Sequence, residues 1–329
     1  MKPYVFITRK LPEEAIKPLL EKFEVHMWEH EAISVPRDVL LEEAAKADAL
    51  FTMLTEAIDE ELLTAGKNLK VIANMAVGYD NVDVAAATRK GIAICNTPDV
   101  LTDATADLTF GLLMTAARRI VEAAELVKQG NWQNWSPLFL AGKDVHHKTI
   151  GIVGMGKIGE TVAKRATGFD MNILYYNRTR KPEAEEKLGA VYVSFDELLS
   201  KSDYVVCLTP LTPETRGMFS REVFRKMKSS AIFVNAARGA VVDETALYEA
   251  LMAVEIAGAG LDVFEREPIR ADHPLLTLPN VVALPHIGSA TLDARTDMMQ
   301  LCAENIEAIL EGRAPKTLVN REWLTRVRS

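Results

Sequence analysis

The chain has 329 residues, 48% hydrophobic and 26% charged, an ordinary globular composition that excludes a disordered chain and suffices for two domains. Its formal net charge of −8 argues against nucleic acid or an anionic membrane as the main partner, so an anionic ligand must be drawn in by a few local cations. The N-terminus lacks the apolar core and cleavage site of a signal peptide, and no stretch approaches the ~20 apolar residues of a membrane span, so a soluble, cytoplasmic protein is expected.

In chain order, the first hundred residues alternate β-rich runs with helical patterns. Tyr4–Thr8, Glu24–Trp28, Ala49–Thr52, Val71–Met75 and Gly91–Cys95 read as strands, and Glu13–Phe23, Arg37–Ala47 and Val82–Lys90 as helices. Such alternation predicts a parallel sheet covered on both faces. One continuous helix is then expected over Ala104–Gly130. A second series follows, with a strand at Thr149–Gly154, a helix at Lys157–Gly168 and a strand at Asn172–Tyr176. Further strands are expected at Tyr204–Leu208, Ala231–Asn235, Gly258–Val263 and Val281–Leu284, and a last helix at Leu292–Glu311. The pattern predicts an α/β protein of two doubly wound parallel-sheet domains, the second inserted into the first. Cys95, Cys207 and Cys302 are far apart in apolar runs and read as plain core thiols.

Gly154-Met155-Gly156-Lys157-Ile158-Gly159 follows a strand and opens a helix. Alone, G-x-G-x-x-G is a weak signal, equally readable as a structural turn. The strand before it and the amphipathic helix after it favour dinucleotide binding, with the phosphates at the helix N-terminus. The next strand ends in Asn177-Arg178-Thr179-Arg180-Lys181, where NAD sites usually carry an acid. Guanidinium forks suit a 2′-phosphate, which points to NADPH as the preferred cofactor, with NADH as the lesser one. A solvated basic loop is the alternative.

Three later segments contribute one candidate each: Arg238 past a strand, Glu267 on a loop, and His286 between Pro285 and Gly288. Singly, a strand-end arginine is often a surface charge, and any one of six histidines is more often structural than catalytic. Together they match the reduction of a 2-keto acid. That reaction needs a cation for the carboxylate and carbonyl, a proton donor for the nascent alkoxide, and a carboxylate that orients the imidazole and favours its charged form.

The chain resembles the D-isomer-specific 2-hydroxyacid dehydrogenases, nearest to their glyoxylate/hydroxypyruvate reductase and 2-ketogluconate reductase branch. The resemblance rests on Ala76-Val77-Gly78-Tyr79-Asp80-Asn81-Val82-Asp83, the glycine loop, Asn235-Ala236-Ala237-Arg238-Gly239, Asp262 through Pro268 and Pro285 through Thr291. It implies that Arg238 binds and polarises the substrate, His286 donates the proton and Glu267 pairs with His286. It further implies that Val77 and Gly78 offer N–H groups to the substrate carboxylate and that Asp262 holds the nicotinamide carboxamide. Cofactor contacts are implied for residues 154–159, Asn177, Arg178, Thr179, Arg180, Ala236, Ala237, Arg238, His286 and Gly288, with no metal. A flavodoxin-like substrate domain of residues 1–100 and 289–329 would receive a Rossmann coenzyme domain of residues 101–288. A homodimer through the coenzyme domain is expected, with Trp135 approaching the partner's site; a local core plug is the other reading of that aromatic segment. His146 and His147 should point in opposite directions, which disfavours a metal pair. A non-enzymatic nucleotide sensor and a phosphoglycerate dehydrogenase are the competing readings.

Overall fold

The computed structural model describes residues 2–324, and the chain divides into two units. One holds everything up to Leu101 and resumes at Thr291; the other is Thr102–Ala290.

The first unit contains β1 (Tyr4–Ile7), α1 (Lys17–Lys22), β2 (Glu24–Met27), α2 (Arg37–Lys46), β3 (Ala49–Thr52), α3 (Glu60–Ala65), β4 (Val71–Asn74), α4 (Val84–Arg89) and β5 (Ala93–Cys95). The strands pair parallel in the order β2-β1-β3-β4-β5. β3, β4 and β5 are buried at every position, as parallel strands covered on both faces must be. Phe6, Leu50, Ile72 and Ile94 build one core layer with Leu40 and Leu62 of the helices. The strand order reverses between β1 and β3, so the loops after them lie where open α/β sheets bind ligands.

Two details depart from the sequence expectation. The single helix over Glu13–Phe23 is a 3-10 turn, Glu13–Ile16, followed by α1, because Pro18 at the start of α1 has no N–H to continue the ladder. α3 lies outside the expected elements: six residues carry too little periodicity, and its start is set by Asp59, whose carboxylate accepts the Leu62 N–H at 3.1 Å.

The second unit opens with α5 (Thr102–Arg118) and α6 (Ile120–Lys128). The expected unbroken helix over Ala104–Gly130 is therefore wrong. Arg119 has φ +54°, and the Ala117 carbonyl accepts from Lys143 N–H at 2.8 Å instead of extending the helix. Gly142 permits that approach, since a Cβ there would lie 2.3 Å from the same carbonyl oxygen. Next come β6 (Thr149–Val153), α7 (Lys157–Thr167), β7 (Asn172–Tyr176), α8 (Pro182–Leu188), β8 (Val191–Tyr192), α9 (Phe195–Lys201) and β9 (Tyr204–Cys207). They are followed by α10 (Arg221–Lys226), β10 (Ile232–Asn235), α11 (Glu244–Met252), β11 (Gly258–Leu261) and β12 (Val281–Ala283). The sheet is parallel throughout, in the order β12-β11-β10-β9-β6-β7-β8. Its order reverses between β6 and β9, the arrangement of a dinucleotide-binding doubly wound sheet.

From Thr291 the first unit resumes with α12 (Leu292–Leu310), capped by the Thr291 hydroxyl, which accepts the Ala294 N–H at 3.1 Å. Its buried residues, Met298, Cys302 and Ile306 among them, lie on the side packed against β3 and β4. Cys95, Cys207 and Cys302 are fully buried, and burial pushes the Cys95 and Cys207 thiols up to about 12. Among the described residues no helix is long and apolar enough to cross a membrane.

Candidate active site

The glycine loop runs from the end of β6 into α7, beside the reversal of strand order. Gly154 has φ +106°, and a Cβ there would meet the Leu208 carbonyl carbon at 2.6 Å, so only glycine passes this close to the end of β9. Gly159 brings α7 against the loop, since its Cβ would fall 2.3 Å from the Gly154 oxygen. A Cβ on Gly156 would meet nothing within 4 Å, and α7 has no side-chain cap at Gly156. The open approach and the uncapped helix N–H groups fit a pyrophosphate. Met155 is fully buried, its side chain packed in the core of this unit.

The loop after β7 is more constrained than its composition suggested. Arg180 makes a two-pronged ion pair with Glu185 at 2.8 and 2.7 Å. The Tyr175 hydroxyl donates to Glu185 at 2.7 Å and accepts the Lys181 N–H at 2.7 Å. Arg180 and Tyr175 together hold the Glu185 carboxyl down to about 2. Asn177 Nδ2 donates to the Thr179 carbonyl at 2.8 Å, closing the turn. Arg178 is exposed, and its charge reaches Glu214, whose carboxyl is lowered first by the Thr212 hydroxyl and more remotely by Arg178.

Beyond β10, Asn235 shapes the arginine loop: its Oδ1 accepts the Ala237 N–H at 3.1 Å and its Nδ2 donates to the Arg238 carbonyl at 3.0 Å. Ala236 N–H donates to the Cys207 carbonyl at 3.4 Å. Gly239 follows because any Cβ would sit 1.8 Å from the Phe264 carbonyl carbon. One arm of Arg238 donates to the Ala237 carbonyl at 2.8 Å.

His286 and Glu267, 19 residues apart, meet with Nδ1 and Oε2 at 2.6 Å. The other Glu267 oxygen accepts the Phe264 N–H at 2.9 Å. Burial works against the Glu267 charge, yet the His286 hydrogen bond, the Phe264 N–H and the nearby Arg238 charge prevail and hold its carboxyl below the usual range. With Nδ1 turned to Glu267, Nε2 is left as the nitrogen that can pass a proton.

Asp262, one residue past β11 and 1% exposed, braces this histidine. Its carbonyl accepts the His286 N–H, and its two carboxylate oxygens accept the Ile287 and Gly288 N–H groups, all at 2.8 Å. Burial lifts the Asp262 carboxyl above its usual value against the pull of those amides and of His286. His286 itself has φ +54°, a left-handed backbone that a histidine adopts only when its surroundings require it. The sequence singles out Asp262 only through the family resemblance, for the nicotinamide carboxamide; its bracing of amides 24 to 26 positions further along the chain is visible only in the structure.

Val77 and Gly78 lie in the first unit, on the turn after β4. The carbonyls of Ala76, Val77 and Gly78 accept from Thr97 N–H, Asn96 Nδ2 and Asn74 Nδ2 at 2.9, 2.8 and 3.2 Å. Among the described residues, neither the Val77 nor the Gly78 N–H finds an acceptor within the protein. Such a pair of free donors suits a carboxylate.

Two further expectations change. His146 and His147 do not diverge: a positive φ of 59° at His147 brings the rings edge to face, 5.2 Å apart, on the surface. Trp135 is no core plug, being 78% exposed, with Trp132, Leu138 and Phe139 also exposed.

The family model for the NAD binding domain of D-isomer specific 2-hydroxyacid dehydrogenases matches residues 110–288. A glyoxylate reductase of Thermococcus onnurineus is 54% identical over 98% of this chain and 98% of its own length. A glyoxylate reductase of Pyrococcus furiosus is 52% identical over 98% and 96%. Among solved structures, a protein of Thermus thermophilus superposes with a TM-score of 0.90 at 45% identity, covering 96% of this chain and 99% of that one. An NADPH-dependent glyoxylate/hydroxypyruvate reductase of Sinorhizobium meliloti, in complex with NADP and malonate, superposes at 0.86 with 32% identity, covering 98% of each. An uncapped glycine loop at the reversal of a parallel sheet and a braced His286–Glu267 pair thus sit in a sequence matched along nearly its whole length, and the chain belongs to the D-isomer specific 2-hydroxyacid dehydrogenase family, as an oxidoreductase that uses a nicotinamide cofactor.

Proposed function

We propose that the protein reduces glyoxylate, and hydroxypyruvate after it, to the corresponding 2-hydroxy acids, with NADPH preferred over NADH. The observation that carries the chemistry is the 2.6 Å contact between His286 Nδ1 and Glu267 Oε2 on a loop anchored by Asp262. The substrate follows the glyoxylate reductases that match this chain end to end, and hydroxypyruvate follows the Sinorhizobium enzyme.

When bound, the nicotinamide supplies the hydride. The protein's own groups do the rest. Arg238 pairs with the substrate carboxylate and polarises the carbonyl oxygen. The Val77 and Gly78 N–H groups receive the carboxylate. As negative charge builds on the carbonyl oxygen, His286 Nε2 passes its proton there, leaving a neutral imidazole that regains a proton from solvent. Glu267 meets Nδ1 and fixes the ring. The glycine loop and α7 hold the pyrophosphate. Arg178, with Asn177 and Thr179, reads the 2′-phosphate, while Arg180 shapes that loop through Glu185.

The coenzyme domain in this reading is the unit Thr102–Ala290, and the substrate domain is the other. The exposed Ile120, Val121, Val127, Trp132, Trp135 and Leu138 support a homodimer through the coenzyme domain, with Trp135 facing the partner's site. A cytoplasmic location belongs to the same reading. Steady-state rates with glyoxylate, hydroxypyruvate and 2-ketogluconate, each with NADPH and NADH, test it. Failure to reduce glyoxylate with either nucleotide overturns it, and a clear preference for 2-ketogluconate would replace the substrate.

A further inference from the structure

The side chains that hold the Val77–Gly78 turn play no part in the chemistry above. They join a buried ion pair at the reversal of strand order in the first unit. Arg9, 8% exposed, and Glu56, 4% exposed, pair at 2.9 Å between Nη1 and Oε1. The second Glu56 oxygen accepts the Thr8 hydroxyl at 2.8 Å and the Met53 N–H at 2.6 Å. Arg9 also donates to Ser34 Oγ at 2.6 Å and Thr55 Oγ1 at 2.9 Å. A buried pair of this kind is weak evidence for stability, because desolvation offsets most of its attraction. What it does fix is the loop after β3.

Asn81 ties that loop to the turn after β4. Its Nδ2 donates to the Glu56 carbonyl at 2.9 Å and the Met53 carbonyl at 3.3 Å. Its Oδ1 accepts from Asn74 Nδ2 at 3.2 Å, and the same nitrogen donates to the Gly78 carbonyl at 3.2 Å. Asn74 is fully buried. Hydrogen bonds thus run from Arg9 through Glu56, Asn81 and Asn74 to the turn whose carbonyls are held and whose N–H groups are free.

We propose that Asn81, backed by the Arg9–Glu56 pair, is a positioning residue for the substrate carboxylate. It locks the loop after β3 to the Val77–Gly78 turn and keeps the two N–H groups aimed outward as a pair. The proposal rests on the reading that those N–H groups receive the keto-acid carboxylate. Asn81→Asp is nearly isosteric but turns an oxygen toward the Met53 and Glu56 carbonyls, so the link repels where it had bonded.

The test uses the full chain, with steady-state glyoxylate reduction, inhibition by oxalate as a carboxylate probe, and fluorescence titration of NADPH. Asn81→Asp should raise KM for glyoxylate and the oxalate inhibition constant together by about tenfold, with kcat within about twofold of wild type. The NADPH Kd should not move. Glu56→Gln keeps an acceptor for the Met53 N–H but removes the charge, and should shift the same two constants by a smaller factor. That variant keeps the test open if Asn81→Asp does not fold. Folded variants with wild-type KM and oxalate inhibition would overturn the proposal, and so would a NADPH Kd that worsens in step, since that signals general loosening. If the wild-type protein does not reduce glyoxylate and oxalate does not bind it, the carboxylate reading itself has failed and the proposal falls with it.

Discussion

The main-chain carbonyl of Asp262 accepts the His286 N–H at 2.8 Å, so one buried residue holds the backbone of the imidazole while its carboxylate holds the next two amides. Left-handed backbone costs a residue with a Cβ about 1–2 kcal/mol, and these three bonds offset it. Asp262→Asn turns an amide toward one of the two N–H groups and removes a charge-assisted bond worth about 1.5–3 kcal/mol. We expect kcat to fall roughly 10- to 100-fold as His286 loses its place, with the NADPH Kd changing much less. If the residue serves mainly to hold the nicotinamide carboxamide, the Kd will move more than kcat, which parallel rate measurements and fluorescence titrations would reveal.

Glu267 is held below the usual carboxylate range, so it is anionic across the neutral range and holds His286 Nδ1 there. Its contribution to stability is complete above the ordinary carboxylate value and is lost as pH falls through its depressed one. His286→Ala should lose about 10²–10⁴-fold in kcat with NADPH binding retained. Glu267→Gln should lose less and move the alkaline limb of the kcat/KM profile to lower pH, because the negative charge favouring imidazolium is gone. An unmoved limb would show that the contact does not govern the proton.

Arg178 and Arg180 should behave differently although both belong to the basic loop. Arg178→Ala should cost about tenfold in kcat/KM with NADPH, ~1.4 kcal/mol, and little with NADH; Arg178→Asp should swing preference to NADH. Arg180→Ala breaks the Glu185 pair and should weaken both nucleotides alike, since it disturbs the loop rather than a phosphate contact. Paired kinetics with the two nucleotides separate these cases, and an Arg178→Ala variant that keeps the wild-type ratio would remove this residue from the reading.

Removing the Arg238 fork should raise KM for the keto acid and lower kcat, because the carboxylate and the developing alkoxide lose the same partner. Arg238→Lys should restore only part of the loss, since a point charge cannot bind two oxygens side by side. NADPH titration should be nearly unchanged for both variants. Near wild-type kcat/KM in Arg238→Ala would show that the residue does not carry the substrate.

The glycine loop was legible because its requirements are local: a turn at Gly154, an open approach at Gly156 and a close helix at Gly159, all within six residues of chain. The break at Arg119 was not, because no glycine or proline marks it and its cause is Lys143, 24 residues away. The pairing of Arg180 with Glu185 is hidden in the sequence for a similar reason. The composition of the loop after β7 counts its charge, but only the folded chain shows that Glu185 has already taken that charge.

The sequence alone determined the alternation of strands and helices, the cofactor loop and the residue types needed for reduction, since periodicity, backbone freedom and acid-base chemistry belong to short segments. Only the tertiary structure decided how Asp262 braces the His286 backbone, which cation after β7 is already paired with Glu185, and how Asn81 links one loop to another. Those are contacts between residues apart in the chain, and hydrogen bonds of 2.7–3.3 Å exist only once the folding of each unit has brought their partners together.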